Sequence, residues 1–225
     1  IWGGGYCSLW FSERIYPCKN GDWFMIHICD DFFKNPYAIR SIALKEKYSG
    51  EGFNNPGFGS RHMDGNISDY MESKVRYLTQ DKSLELLRCS FRFTTKEYKT
   101  GIYHHDGEDS LYNVIVFLSL DPPPHSGTEI SDAIPSAIEW KKILDSFSDC
   151  PGMKCKFHEN PKNFINSYKY GRLRKQVNSL FDRVMEVPNK FNRCVIFPSE
   201  KFHRAQDFFG TSKENSRLTL ISFFK

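Results

Sequence analysis

Apolar positions recur along the chain with two different periods, and the change between them divides it. Residues 22–29, DWFMIHIC, form a short apolar run that predicts a buried strand. After Asp30 and Asp31, residues Ile39, Ile42, Ala43 and Glu46 fall on one face at helical spacing. Asn35 suits the N-cap of that helix, Pro36 its first turn and Gly50 its stop. Residues 51–66, dense in Gly, Asn and Pro, predict a loop, and residues 68–87 a second helix ending near Leu87. From Arg88 the period shortens. Residues 89–95, 100–105, 112–120, 126–131, 193–198 and 216–224 are β-branched or aromatic runs bounded by Gly, Pro, Asp and Asn, which predicts strands. The run LYNVIVFLSL is almost continuously apolar and stops at Pro122, Pro123 and Pro124, whereas RLTLISFF alternates. Between these strands, residues 133–188 form an insertion with two helix candidates, AIPSAIEWKKILDSF and NFINSYKYGRLRKQVNSLFDRVMEV. The second carries Phe164, Tyr168, Leu173, Val177, Leu180, Phe181 and Val184 in a stripe read as a packing face.

This order predicts an α+β, mainly β protein: a double-stranded β-helix of the jelly-roll or cupin-like kind, with flanking N-terminal helices and a helical insertion. The 225 residues suffice for one domain (1–225), divided into a leader (1–21), a strand with supporting helices (22–87) and the jelly-roll core (88–225). Twenty Phe and eleven Tyr supply strand-favouring core material. The formal charge is +4, and the 31 basic and 27 acidic residues are interspersed, so a nucleic-acid partner is disfavoured. Seven cysteines without a CxxC pair point away from a zinc site and toward a reducing, cytoplasmic setting, with Cys29, Cys89 and Cys194 as small core residues. Neither a signal peptide nor a membrane span is expected.

Chemistry concentrates at IYHHDGED, residues 102–109. In an extended chain His104 and Asp106 project to the same side and His105 to the other, while Gly107 permits a sharp turn. An imidazole beside a carboxylate is two-thirds of a facial triad for non-haem iron(II), and His203, after the strand CVIFP, is the candidate third ligand. On the last strand Arg217 and Thr219 share a face; a guanidinium fork with a neighbouring hydroxyl suits a carboxylate, such as the distal one of 2-oxoglutarate. Other polar residues have plainer explanations. His27 reads as a core histidine, Asp30 and Asp31 as a cap or turn, His105 as packing or solvated, Arg61 and His62 as a surface loop that could also form a substrate-facing lid. His125, His158 and Asp207 look incidental, and Tyr168, Tyr170, Arg172 and Arg174 read as a solvated helix face.

The order HxD, His, Arg-x-Thr resembles the iron(II)- and 2-oxoglutarate-dependent oxygenase superfamily, in particular a prolyl-hydroxylase-like branch with bacterial and phage members. The resemblance runs through DDFFKNPYAIRSIAL, PGFGSR, HHDGE, SGTEI, FNRCVIFPSEKFHRA and FGTSKENSRLTLISFF, and leaves out the first twenty residues and the 133–188 insertion. It implies that His104, Asp106 and His203 ligate iron(II), that Arg217 anchors 2-oxoglutarate and that Thr219 assists it. It also implies a Tyr or Asn touching the co-substrate, for which Tyr98, Tyr103, Tyr112 and Asn113 are open and Tyr112 is the choice made. The implied activity is dioxygen-dependent hydroxylation of a small-molecule or peptidyl substrate, with succinate and carbon dioxide as co-products. Two alternatives stay open: a cupin metalloenzyme without 2-oxoglutarate, for which Arg217 has no obvious purpose, and a non-catalytic jelly-roll binding protein, for which the triad has no reason to converge.

Overall fold

The strands after Arg88 build two facing sheets in a computed structural model, which describes residues 11–17, 23–49, 57–107, 109–131, 136, 168–181 and 185–225. In chain order the elements are β1 (Phe11–Pro17), β2 (Trp23–Cys29), α1 (Pro36–Lys45), β3 (Tyr48–Ser49), β4 (Phe58–Ser60), α2 (Asn66–Thr79), β5 (Leu86–Thr94), β6 (Tyr112–Phe117) and β7 (Thr128–Ser131). They continue with α3 (Tyr168–Asn178), β8 (Met185–Val187), β9 (Cys194–Pro198), β10 (Phe202–Ala205) and β11 (Arg217–Phe224). The larger sheet runs β1-β2-β9-β6-β11-β5-β4-β3 and the smaller β10-β7-β8, all pairs antiparallel. Residues 100–104 attach to the edge of the smaller sheet through isolated bridges, Thr100 to Asp207 and His104 to His203. With that segment counted, β9-β6-β11-β5 face a second set of four, the expected double-stranded β-helix.

Alternation explains both the apolar runs and the two cores. On β6, Val114 and Val116 point to the helix-covered side, whereas Ile115 and Phe117 point between the sheets. On β9, Cys194 and Ile196 take the first side, Val195 and Phe197 the second. Both faces of these strands are covered, so almost every position is apolar. Helix α2 closes the outer layer with Met71, Val75 and Leu78, an i, i+4, i+7 stripe. Helix α1 adds Ala43, with Ile39 and Leu44 packed beside it, while Ile42 is exposed. Asn35 caps α1 as expected, its Oδ1 accepting from the Ala38 N–H at 3.2 Å. Cys29, Cys89 and Cys194 are buried free thiols in this outer core.

Several boundaries differ from the sequence reading. Strand β1 lies in the stretch read as a leader and zips onto β2 in full register; edge pairing uses the backbone and needs no apolar run. Helix α1 stops at Lys45, before Gly50, which falls outside the described residues. Helix α2 ends at Thr79, where Gln80 turns left-handed at φ 57, and β5 has begun by Leu86. Strand β4 occupies part of the predicted loop 51–66. In the insertion, α3 falls within the second helix candidate, but residues 185–187 are strand β8 rather than its end; the first candidate lies outside the described residues. Strand β10 was not anticipated: His203 sits in a strand, not after one.

Candidate metal centre and adjoining cavity

His104 and His203 are directly paired across the smaller sheet. The His104 N–H donates to the His203 carbonyl at 3.1 Å and the His203 N–H to the His104 carbonyl at 2.9 Å, so the two side chains must leave on the same face. Their rings stand 4.4 Å apart, centroid to centroid. Each Nδ1 meets the carbonyl two residues earlier: His104 with Ile102 at 2.9 Å, His203 with Lys201 at 3.0 Å. A carbonyl can only accept, so the proton sits on Nδ1 and the Nε2 lone pair points away from the backbone. Burial, then the neighbouring His104, pushes the His203 pKa down to about 4 and keeps that lone pair free at neutral pH.

Asp106 completes the set. Its backbone N–H donates to the Ser199 carbonyl at 2.9 Å, which folds the end of the segment over β9. Its carboxylate oxygens lie 3.9 Å from His104 Nε2 and 3.5 Å from His203 Nε2, and the three ligand atoms lie within 4.8 Å of one another. An ion bonded at about 2.1 Å holds neighbouring donors roughly 3 Å apart, so the three groups would draw together on binding one. Two imidazoles and one carboxylate on one side suit a divalent metal with positions left open. A relay fixes the carboxylate: Ser110 donates to Ser199 Oγ at 2.8 Å, Ser199 Oγ to Asn113 Oδ1 at 2.8 Å, and Asn113 Nδ2 to Asp106 Oδ2 at 2.9 Å.

The ligand segment has little strand pairing of its own, and the insertion compensates. Asn178 of α3 accepts from the Tyr103 N–H at 3.1 Å and donates to the Gly101 carbonyl at 3.1 Å, acting as a one-residue substitute for a neighbouring strand. Arg174 donates to the carbonyls of Tyr98 and Thr100. On the other edge Gly101 approaches β10 so closely that a Cβ there would sit 2.8 Å from the Ala205 carbonyl oxygen, which only glycine allows. Beneath, Glu129 of β7 accepts from Arg204 at 2.6 Å, Tyr103 at 2.9 Å and Gln206 at 3.2 Å. Burial works against its charge, but these donors outweigh it and hold the carboxyl below its usual range.

The three candidate ligands open onto a partly open cavity between the sheets. Arg217 lies at its wall, 4% exposed. Its Nε donates to the Ser126 carbonyl at 3.3 Å and its Nη2 to Thr128 Oγ1 at 3.1 Å, and the guanidinium rests 5.4 Å from the centre of the Phe117 ring. No carboxylate lies within ion-pair distance of it among the described residues. Burial, then Arg92, pushes its pKa down to about 10. A buried cation without a counter-ion beside a cavity can receive an anion.

Neither Thr219 nor Tyr112 is among the residues lining the cavity. Thr219 shares the face of Arg217, but its hydroxyl donates to the Arg92 carbonyl across the strand pair; the hydroxyl on Arg217 is that of Thr128, from the opposite sheet. Tyr112 points to the helix-covered core, where burial raises its phenol pKa, and the next residue, Asn113, lines the cavity instead. Of the rest, His105 is exposed and edges onto Phe202. His62 accepts from the Cys89 N–H at 3.0 Å, and Arg61 is exposed near Glu46. His27 is buried, and Asp30 is bound by Arg193 and Lys190. The sequence reading missed Arg92, Thr128, Ser199 and Asn178. For Arg92 a signal existed: in RCSFRFT the polar residues Ser90, Arg92 and Thr94 alternate with Cys89, Phe91 and Phe93.

Solved structures share this architecture. A prolyl-4-hydroxylase from Pseudomonas putida superimposes with a TM-score of 0.51 at 11% identity, covering 89% of this chain and 91% of that one. HygX from Streptomyces hygroscopicus, with nickel and 2-oxoglutarate bound, gives 0.54 at 13% identity over 88% of this chain and 82% of that one. The same protein with hygromycin B also bound gives 0.52 at 14% identity over the same shares. At such identities the likeness is one of fold. No curated protein matches the chain. No helix among the described residues is long and apolar enough to cross a membrane. Residues 21–224 match, nearly end to end, the model of a family described as "Family of unknown function (DUF6445)", and the chain belongs to that family.

Proposed function

We propose that the chain is an iron(II)- and 2-oxoglutarate-dependent oxygenase that hydroxylates a C–H bond of a small-molecule or peptidyl substrate. One observation carries the reading: His104, Asp106 and His203 converge on the cavity in which Arg217 is a buried cation without a counter-ion. A metal-binding cupin of another reaction class accounts for the first half and not the second. The fold, shared with a prolyl-4-hydroxylase and with a nickel- and 2-oxoglutarate-bound protein, supports it.

In this reading the two Nε2 atoms and the Asp106 carboxylate hold the metal, and their hydrogen-bonded partners keep them aimed before it arrives. Arg217, with Thr128, holds the distal carboxylate of 2-oxoglutarate. Ile115, Ile221 and Phe208 line the cavity and exclude water from the reacting groups. Iron(II), 2-oxoglutarate and dioxygen bound together supply the oxidation, with succinate and carbon dioxide as co-products. The chain's own part is ligation, orientation and a dry enclosure.

The test is anaerobic addition of iron(II) and 2-oxoglutarate, followed by visible absorption of the chelate. The wild type is expected to develop the band with one equivalent of iron, and Asp106→Ala to bind no stoichiometric iron while keeping its circular dichroism. Equal iron content in the two proteins would sink the assignment.

A further inference from the structure

We propose that Arg92 binds an anionic group of the substrate, so that the molecule oxidised at the metal carries a carboxylate or a phosphate. The inference rests on the oxygenase reading and extends it to substrate class.

Arg92 lies on β5, and its side chain lines the same cavity as the ligand triad and Arg217. Among the described residues its guanidinium has neither an ion pair nor a hydrogen-bond partner. Solvent does not replace them fully: burial, then Arg88, pushes its pKa down to about 10, against a smaller opposing pull from Asp106. That carboxylate is engaged by Asn113 and by its place beside the two imidazoles. Two guanidiniums therefore share one cavity, and each lacks an anion of its own. Such an arrangement is costly unless ligands bring the missing charges.

Counting charge shows that one co-substrate is not enough. Arg92 and Arg217 against Asp106 leave one positive charge in the cavity. A ferrous ion and a 2-oxoglutarate dianion cancel each other, so the loaded site keeps that charge. One more anionic group neutralises it.

Strand register places Arg92 away from the co-substrate's anchor. In one row across the sheet Arg92 pairs with Thr219 of β11 on one side and with Gly59 of β4 on the other. Its guanidinium leans toward β4: a Cβ built on Gly59 would lie 3.9 Å from Arg92 Nη2, in ordinary contact. The Arg217 guanidinium is turned the other way, to Ser126 and Thr128 of the facing sheet. The two cations thus address different parts of the cavity. A planar fork lying over a glycine matches the two oxygens of a carboxylate or phosphate.

The experiment uses manganese(II)-loaded protein saturated with 2-oxoglutarate. Inorganic phosphate is the probe in one arm and carbon-13-labelled acetate in the other, each followed by paramagnetic relaxation of the probe nucleus. The wild type is expected to show saturable enhancement with at least one probe, and the tighter of the two names the anion class. Arg92→Met is expected to weaken that binding by about tenfold or more, with Arg92→Lys between, while 2-oxoglutarate affinity changes by less than about twofold. The proposal is overturned if Arg92→Met binds both probes as the wild type does, or if neither probe binds the wild type. A tenfold loss of 2-oxoglutarate affinity in Arg92→Met also overturns it, since Arg92 is then a second grip on the co-substrate. Should the wild type bind no 2-oxoglutarate at all, the oxygenase reading itself falls and takes this one with it.

Discussion

Replacing Arg217 by Met should act with opposite signs on the empty and the loaded protein. The side chain is 4% exposed, and the drop of its pKa to about 10 corresponds to roughly 3 kcal/mol against the charged form in the folded state. Met keeps most of the volume and removes the charge. It also forfeits the bonds to the Ser126 carbonyl and Thr128 Oγ1, at about 1 kcal/mol each. The balance is a gain of about 1 kcal/mol, which for a chain of this size raises the thermal midpoint by about 2–4 °C. The loaded protein behaves the other way. Losing a charge-assisted hold costs about 1.5–3 kcal/mol, so 2-oxoglutarate binds some ten- to a hundredfold more weakly. At a concentration a hundred times the wild-type Kd, the ligand stabilises the wild type by about 2.7 kcal/mol and the variant by about 1.4 kcal/mol or less. Scanning calorimetry of nickel(II)-loaded protein, with and without 2-oxoglutarate, measures both quantities. A variant that melts several degrees lower when empty and responds fully to 2-oxoglutarate would refute the view of Arg217 as an anion receptor, and make it a structural cation.

The remaining predictions concern what supports the centre. Asn178→Ala should leave the far-ultraviolet spectrum unchanged and weaken metal affinity by about 10-fold, because the ligand segment loses its hold on one edge; unaltered affinity in a metal titration means that β10 alone positions His104. Stability should also fall with acid. Glu129, and Asp30 held by Arg193 and Lys190, have folded pKa values below their usual range, so folding releases protons. Their contribution is complete above about pH 4 to 5, where the unfolded groups are ionised, and is lost as pH falls through the lower folded values. The urea midpoint is expected to drop between about pH 5 and 3, and less steeply in Glu129→Gln, whose baseline starts lower; identical slopes contradict the role given to Glu129.

The core of the fold and the grouping of His104 with Asp106 were legible in the sequence for the same reason. Strands covered on both faces must be apolar throughout, and VIVF and CVIF announce themselves. A strand's two-residue period puts His104 and Asp106 together, a relation that needs no tertiary knowledge. What stayed hidden depends on partners distant in the chain. Strand β10 has four residues directly after a turn and leaves no periodic trace, and the hold of α3 side chains on residues 101–103 depends on partners more than seventy positions away. Helix α2 ends on a left-handed Gln80 where glycine or asparagine is usual, and the following LELL continues the helical composition. Sharing or adjoining a strand position did not reveal that Thr128, from the facing sheet, bonds Arg217 or that Asn113 lines the cavity.

If His104 and His203 hold a metal, as proposed, their reciprocal pairing bears on when a complete site first exists during synthesis. The two lie about a hundred positions apart in the chain, and their spacing is set by main-chain pairing at the smaller sheet's edge. A nascent or partly assembled chain offers His104 and Asp106 alone, a two-donor fragment with weak affinity. Closing so long a loop comes late, after local structure has formed. On the oxygenase reading, capture of the iron would be deferred until the barrel has shut around its site.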